Sequence, residues 1–313
     1  MIWVLADDRA GNVNQLLGIV ESLNHPYERK DIRYDRWVKL PNFLRGSTFV
    51  GITKESQKQL SAPWPKIVLS AGRRSFPVAL AIRRLSGGKT QVVQLMSPGK
   101  CGEKKCDLLI LPVHDEYKGC AKNVMQVVGS PHRVSVKKLS DEKKHWSAKL
   151  KKYPSNRVGL IVGGATKDKP FTVEMSERLV SDTLKLNPKS LLITTSRRTP
   201  KEVVAVLKEK LPEPKFFYTF GDKDENPYFG ILSMSDMIVV TGDSMSMCTE
   251  CCATGVPVYI FAPDEMIGKK HARFHQSLYH QGYARPLGKK GVQPKGRLNP
   301  APEIAKRIQK EFL

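Results

Sequence analysis

Ile67-Val-Leu-Ser-Ala-Gly-Arg73-Arg74-Ser75-Phe-Pro77 in the first half of the chain is echoed in the second by Leu192-Ile-Thr-Thr-Ser196-Arg197-Arg198-Thr199-Pro200. Each copy is an apolar run, a turn of small residues, two arginines, a hydroxyl residue and a proline near the expected start of a helix. A buried strand leading through a tight turn into a helix is the βα unit of a parallel sheet, and finding it once in each half predicts two such sheets. Ser75 and Thr199 can cap the helices, and Pro200 suits a first helical position. Two arginines at the positive end of a helix dipole are unfavourable by about 0.3–1 kcal/mol each. A phosphate held by the helix amides and the arginine forks would reverse that sign, whereas salt bridges to a neighbouring loop are the competing explanation.

Outward from these copies, further short apolar runs repeat the pattern. In the first half they are residues 2–6, 67–70, 92–96, 108–112 and 124–128; in the second, 158–162, 191–195, 216–220, 237–241 and 258–261. Between the two arrays lies a lysine-rich amphipathic helix over 140–152 that ends at Tyr153-Pro154-Ser155-Asn156, so a hinge is expected near 134–156. The 313 residues, 40% of them apolar, suffice for two cores. The expected division is an N-terminal Rossmann-like domain over 1–140, a C-terminal Rossmann-like domain over 141–300, and a helix over 301–313 crossing back to the first.

No run reaches the roughly 18 apolar residues of a membrane span, and Asp7-Asp8 follows the first apolar run too soon for a signal peptide. A cytoplasmic location is expected, peripheral on a cytosol-facing membrane at most. Six cysteines (Cys101, Cys106, Cys120, Cys248, Cys251 and Cys252) are irregularly spaced, which argues for reduced thiols. Cys248-x-x-Cys251 is only half a zinc site, and no metal is expected. A formal charge of +22 favours polyanionic partners, yet no aromatic interleaving or helix-turn-helix pattern marks a dedicated nucleic-acid site. The first strand is followed by no G-x-G-x-x-G, and no tyrosine has a lysine four residues later, which disfavours short-chain epimerases and dehydrogenases. Gly87-Gly88-Lys89-Thr90 has Arg83 where a P-loop needs glycine, and is a turn.

Polar segments at the strand ends hold the candidate chemistry. Asp7-Asp8-Arg9-Ala10-Gly11-Asn12-Val13-Asn14-Gln15 leads into a helix with the apolar face Val13, Leu16, Leu17, Val20 and Leu23. Asp8 is placed to deprotonate an incoming hydroxyl, with Gly11, Asn12, Gln15, Arg73 and Arg74 on the same acceptor side. Plain capping by Asp8 and Asn12 is the alternative. His114 and His132 end strands and are each a candidate base, diphosphate donor or structural histidine. Gly163-Gly164-Ala165-Thr166-Lys167 offers close backbone approach, free amides and a cation to phosphate oxygens. Val240-Thr-Gly-Asp243-Ser244-Met-Ser246-Met247-Cys-Thr-Glu250 passes from a strand into a helix. There Ser244, Ser246 and the first amides form an anion cradle, and Glu250 can accept from ribose hydroxyls.

Five of these motifs in combination resemble the Elm-type mitochondrial fission family over nearly the whole chain: Asp-Asp-Arg-x-Gly-Asn-x-x-Gln at 7–15, Leu-Ser-Ala-Gly-Arg-Arg at 69–74, Thr-Thr-Ser-Arg-Arg-Thr-Pro at 194–200, Asn226-Pro227-Tyr228, and Thr-x-Asp-Ser-x-Ser-Met-x-x-Glu at 241–250. Plant members of that family are known for recruiting a dynamin-related protein to the mitochondrial surface. Bacterial members are often labelled nucleoside-diphosphate-sugar epimerases, a label at odds with the missing fingerprints. The second array also resembles the donor half of GT-B glycosyltransferases. That resemblance implies nucleotide contacts from Gly164, Thr195, Arg197, Ser244, Ser246 and Glu250, with the base near Asn226 and Tyr228; Gly163, Lys167, Ser196, Arg198, Asp243 and Met247 complete the expected set.

The fold expected is therefore α/β, two Rossmann-like parallel-sheet domains facing across a cleft in the GT-B manner. The function expected is metal-independent transfer of a sugar from a nucleotide diphosphate donor to a hydroxyl acceptor, an envelope glycolipid or other lipid-linked alcohol among the candidates. No cofactor is expected beyond that donor substrate. The alternatives are a non-catalytic adaptor that recruits a dynamin-related protein, with peripheral contact to an anionic membrane, and nucleic-acid binding through basic charge.

Overall fold

The computed structural model describes residues 1–99, 102–166, 169–289 and 295–313. Twelve strands form two sheets: β1 (Ile2–Ala6), β2 (Tyr27–Asp31), β3 (Ile67–Ala71), β4 (Gln91–Leu95), β5 (Leu108–Pro112) and β6 (Val124–Val127), then β7 (Arg157–Val162), β8 (Ser190–Thr195), β9 (Lys215–Tyr218), β10 (Met237–Thr241), β11 (Val258–Phe261) and β12 (Arg285–Pro286). The chain divides into one unit of residues 1–133 plus 300–313 and a second of 134–299.

In the first unit the order is β2-β1-β3-β4-β5-β6, and every pairing is parallel. Both faces of this sheet are covered at its inner strands, which is why β1, β3 and β5 are almost continuously apolar. Ile2, Val4 and Ala6 face a core shared with helix Ala10–Leu23 and the C-terminal helix Ala301–Phe312. Trp3 and Leu5 face the opposite core with Phe76, Val78 and Ile82 of helix Gly72–Leu85. Each such side chain contributes about 1.5–3 kcal/mol by leaving water.

The second unit has the order β12-β11-β10-β7-β8-β9, again wholly parallel. Read from β9, this is the doubly wound order in which the chain reverses direction between β7 and β10. Side chains of β7, β8 and β10 pack with Leu179 of helix Val173–Leu184 and with Val203 and Leu207 of helix Lys201–Lys210. Helix Val136–Leu150, capped by the Ser135 side chain, leads into β7.

The topology fixes where ligands can go. Crevices open at the carboxyl ends of parallel strands where the winding reverses. These points are Ala6 beside Ala71 in the first unit and Val162 beside Thr241 in the second. Both arginine pairs follow strand ends near them.

Two strands were missing from the sequence expectation. β2 reads Tyr-Glu-Arg-Lys-Asp and is an exposed edge, so it has no apolar signal; β12 is a two-residue edge. The helix starts also differ. Helix Gly72–Leu85 begins before the arginines, Ser75 donates back to the Ala71 carbonyl instead of capping, and Pro77 lies inside the helix. Pro200 is itself the N-cap of helix Lys201–Lys210, while the Thr199 hydroxyl binds within the preceding turn.

Candidate functional site

In the second unit β7, β8 and β10 deliver three turns to one place. After β10, the Thr241 hydroxyl donates to Asp243 Oδ1 at 2.7 Å and accepts the Gly163 amide at 2.7 Å. Asp243 Oδ2 accepts the Gly164 amide at 3.0 Å and Arg198 Nη2 at 2.8 Å. The carboxylate is fully buried, and burial raises its pKa in spite of these donors. His271, half-buried beside the Asp243 peptide, is pushed down by burial.

This network corrects the reading of the two glycines. Their amides are not open to phosphate, because Thr241 and Asp243 take them. A Cβ on Gly163 would lie 2.1 Å from Asp243 Oδ1, and one on Gly164 would lie 2.0 Å from the Arg198 carbonyl oxygen. Glycine is required here by protein packing against the turn 196–199. Lys167 lies outside the described residues.

Beside the network is a pocket of about 160 Å3. Thr195, Ser196, Arg197, Asn226, Tyr228 and Met247 all line it, with Phe220 and the strand ends completing the wall. The Thr195 hydroxyl accepts the Phe220 amide at 3.0 Å, holding that ring at the rim, and Asn226 Oδ1 accepts the Tyr228 amide at 3.0 Å. Phe220 was not singled out from the sequence; a phenylalanine left half exposed after a strand end is the signal that could have found it. Arg198 is committed to Asp243, whereas Arg197 is exposed and has no hydrogen-bond or ion-pair partner among the described residues.

Ser244 caps helix Met245–Cys252 by accepting the Met247 amide at 3.4 Å, so its hydroxyl serves the helix. Ser246 follows in the first turn, half-buried. One turn further, Glu250 Oε2 accepts a hydrogen bond from the Tyr228 hydroxyl, and its other oxygen has no such partner among the described residues. Burial pushes the Glu250 carboxyl up to about 7, only partly opposed by Tyr228, whose own hydroxyl is raised by burial and by Glu250. Tyr228 and Met247 line the pocket, while Glu250, partly exposed, is not among its lining residues. Cys248, Cys251 and Cys252 are buried thiols with raised pKa values from burial.

The first unit's acceptor-side residues pair with each other. Arg74 binds Asp7 Oδ2 at 3.1 Å and both oxygens of Asp8, and its guanidinium stacks 4.5 Å from the Tyr34 ring. Asp7 also accepts from Asn12 Nδ2 and the Arg9 amide, each at 3.0 Å. Arg73 donates to the carbonyls of Leu40 and Val38. Asp8 is exposed, and its hydrogen bonds to Arg74 hold its carboxyl below the usual range. The Asp8 carboxylate is thus already engaged by the Arg74 guanidinium. Gln15, His114 and His132 are buried, and the His132 peptide packs against Gly18. Gly11 is exposed with open space around it.

Two wholly parallel Rossmann-like sheets with polar turns gathered at their reversal points define a GT-B-class α/β protein. Comparison with known proteins narrows this further. Residues 10–312 match the model of the family described as mitochondrial fission ELM1, and the chain belongs to that family. An uncharacterized protein of Rickettsia prowazekii is 30% identical over 91% of this chain and 89% of its own. The mitochondrial fission protein ELM1 of Arabidopsis thaliana is 27% identical over 84% of this chain and 67% of its own. Among solved structures, a UDP-GlcNAc 2-epimerase from Neisseria meningitidis bound to UDP-GlcNAc has the same fold, with a TM-score of 0.55 at 12% identity, covering 99% of this chain and 100% of that one. So does the glycotransferase of kitacinnamycin, with a TM-score of 0.56 at 14% identity, covering 99% and 93%. Among the described residues no helix is long and apolar enough to cross a membrane.

Proposed function

We propose that the second unit binds a nucleoside diphosphate sugar and that the protein transfers the sugar to a hydroxyl acceptor without a metal. The observation that carries this reading is the pocket beside the β7–β10 reversal, lined by Arg197, which has no ionic partner among the described residues. A volume of about 160 Å3 is below the roughly 300–1,000 Å3 of a site for a whole drug-sized ligand, and suits one ring of a nucleotide. The base enters between Thr195, Asn226 and Tyr228; the diphosphate lies along Arg197 and the first turn containing Ser246; the ribose meets Glu250. Developing charge on the departing diphosphate is stabilised by that guanidinium and the helix terminus. The structural neighbour bound to UDP-GlcNAc supports a donor of this class.

Calorimetry with uridine, guanosine, cytidine and adenosine diphosphates tests the reading. At least one should bind, and its affinity should fall about 10- to 100-fold in Arg197→Ala, the loss expected for a hydrogen bond to a charged group. Glu250 accepts best when ionised, so affinity should rise as pH passes upward through about 7 and lose that dependence in Glu250→Gln. No binding across the panel would end the reading.

A second reading is favoured by the first unit. Asp8, though exposed, is tied to Arg74, and His114 and His132 are buried. An adaptor that keeps a nucleotide pocket without sugar transfer, acting in fission as the plant relative's name says of that protein and recruiting a dynamin-related GTPase as the family resemblance implies, fits that arrangement. Diphosphate binding without turnover of any nucleotide sugar, together with capture of such a GTPase, would favour it.

A further inference from the structure

From Arg36 to Lys54 the chain carries no acidic residue, while Arg36, Lys39, Arg45 and Lys54 are basic. The same segment holds four large hydrophobic side chains that face solvent: Phe43 (78% exposed), Leu44 (62%), Trp37 (49%) and Val50 (46%). Their display is built, because the loop is anchored from beneath. Arg45 is fully buried, donating from Nε to the Val50 carbonyl at 3.0 Å and from Nη1 to the Arg74 carbonyl at 3.1 Å. Asn42 Nδ2 reaches the carbonyls of Arg73 and Pro98, each at 2.9 Å, and the Gly51 carbonyl accepts the Asp35 amide. The short helix Asn42–Arg45 is thereby held with Phe43 and Leu44 outward.

Cations surround these apolar tips. Arg36 lies 4.9 Å over the Trp37 ring, Lys39 is exposed one turn on, and Arg84 is brought to the loop by a 3.1 Å hydrogen bond to the Ser47 carbonyl, carrying the half-exposed Leu85 with it. An indole and a phenyl ring at the tip of a knob, flanked by Arg36, Lys39 and Arg84 against the single carboxylate of Asp35, which accepts the Trp37 amide at 2.8 Å, complement a surface that is apolar below and anionic above. Lysine is depleted at protein interfaces, whereas Lys39 stands exposed beside these apolar tips. A short apolar insertion needs a second signal to hold a membrane, and the surrounding basic residues supply one.

We infer that the loop Arg36–Val50 docks the protein on an anionic lipid bilayer, with Phe43, Leu44 and Trp37 entering the headgroup–acyl boundary and Arg36, Lys39 and Arg84 meeting the lipid phosphates. This surface is independent of the nucleotide pocket, so either can fail without the other.

The test is sedimentation of the full chain with vesicles of phosphatidylcholine alone and of three parts phosphatidylcholine to one part phosphatidylglycerol. Binding is expected only to the second, with Trp37 emission moving to the blue and quenched by brominated acyl chains, while Trp37→Phe abolishes that quenching. The double variant Phe43→Ser, Leu44→Ser should lose at least about tenfold in partitioning, and Arg36→Ala and Lys39→Ala about fivefold each. Because these side chains face solvent, melting of the variants should match the parent, so loss of binding is separable from loss of fold. Adsorption unaffected by the Phe43/Leu44 change would overturn the proposal, leaving only diffuse attraction from the +22 charge. It would also be overturned if the parent ignored anionic vesicles and instead formed a dimer that this double variant abolished.

Discussion

The turn at 72–75 and the turn at 196–199 begin from nearly the same sequence and solve the same electrostatic conflict differently. At the first, both arginines are used up: Arg74 by Asp7 and Asp8, Arg73 by the backbone carbonyls of residues 38 and 40. At the second, a single buried carboxylate, Asp243, takes Arg198 and leaves Arg197 to the pocket. The difference is one of counting. Two aspartates and a carbonyl-lined loop neutralise one corner without any ligand, whereas one aspartate leaves the other with one positive charge in excess. A diarginine turn therefore points to an anion site only once its internal partners have been subtracted.

The largest expected consequence lies in the carboxylates. Asp243 holds a buried amide, a buried hydroxyl and a guanidinium, so Asp243→Ala strands three donors and should cost about 3–5 kcal/mol in chemical denaturation. Asp8→Ala removes an exposed ion pair and should cost less than about 1 kcal/mol. Equal effects would mean that the two corners are not built differently.

The arginines should separate next, and in opposite senses. Arg74→Ala takes from Asp7, almost wholly buried, its one cationic donor of three, and should destabilise by about 1–3 kcal/mol while leaving nucleotide affinity unchanged. Arg197→Ala breaks no internal contact, so stability should stay within about 0.5 kcal/mol while nucleotide binding collapses. Thermal melts with and without nucleoside diphosphate measure both quantities at once.

The reach of sequence reasoning follows the same division. β1, β5, β10 and β11 were legible to the residue because strands buried on both faces are uninterrupted apolar runs. So was the apolar face of helix Ala10–Leu23, all of it buried. The exposed edge strand Tyr27–Asp31 was not, since pairing on one side leaves no hydrophobic trace. In the pocket, Arg197 could be picked out as a cation following a strand end, whereas Thr195, Asn226 and Tyr228 came from the resemblance to the fission family and to GT-B donor halves. Their partners could not, because Arg198 meets Asp243 across 45 residues and Arg74 meets Asp7 across 67, and nothing local records such pairings. The same blindness made Gly163 and Gly164 look like ligand contacts when Asp243 and the Arg198 peptide are what crowd them.

Glu250 extends the comparison to pH. Its carboxyl ordinarily titrates near 4.5 and is raised by burial to about 7 in the folded chain. Between those values the folded state holds more protons than the unfolded one, so stability falls as pH rises through the window and levels off above it. The loss by pH 8 is on the order of 3 kcal/mol. Glu250→Gln removes the titration, keeps an acceptor for the Tyr228 hydroxyl, and should stabilise the protein by about 1–3 kcal/mol at pH 8 but not at pH 4.5. Asp8, whose carboxyl is lowered, has the opposite sign: its favourable pairing is present above the ordinary carboxylate range and lost as acid protonates it. Denaturation midpoints at pH 8 should therefore depart from the parent in opposite directions, Glu250→Gln above it and Asp8→Asn below it, the first difference vanishing near pH 4.5 and the second only in stronger acid.

The smallest effect is expected at Gly11, in the first turn of helix Ala10–Leu23. Its backbone is helical and a Cβ would meet nothing within 4 Å, so alanine costs no packing and removes freedom from the unfolded chain. Gly11→Ala should stabilise by up to about 1 kcal/mol, the helix-propensity difference between the two residues. An acceptor that approaches this backbone closely would be obstructed by the added methyl. Stabilisation with undiminished turnover would place the acceptor elsewhere in the first unit. Stabilisation accompanied by a sharply raised KM for acceptor would instead give the loop Asp7–Gln15 a substrate role that its internal pairing conceals.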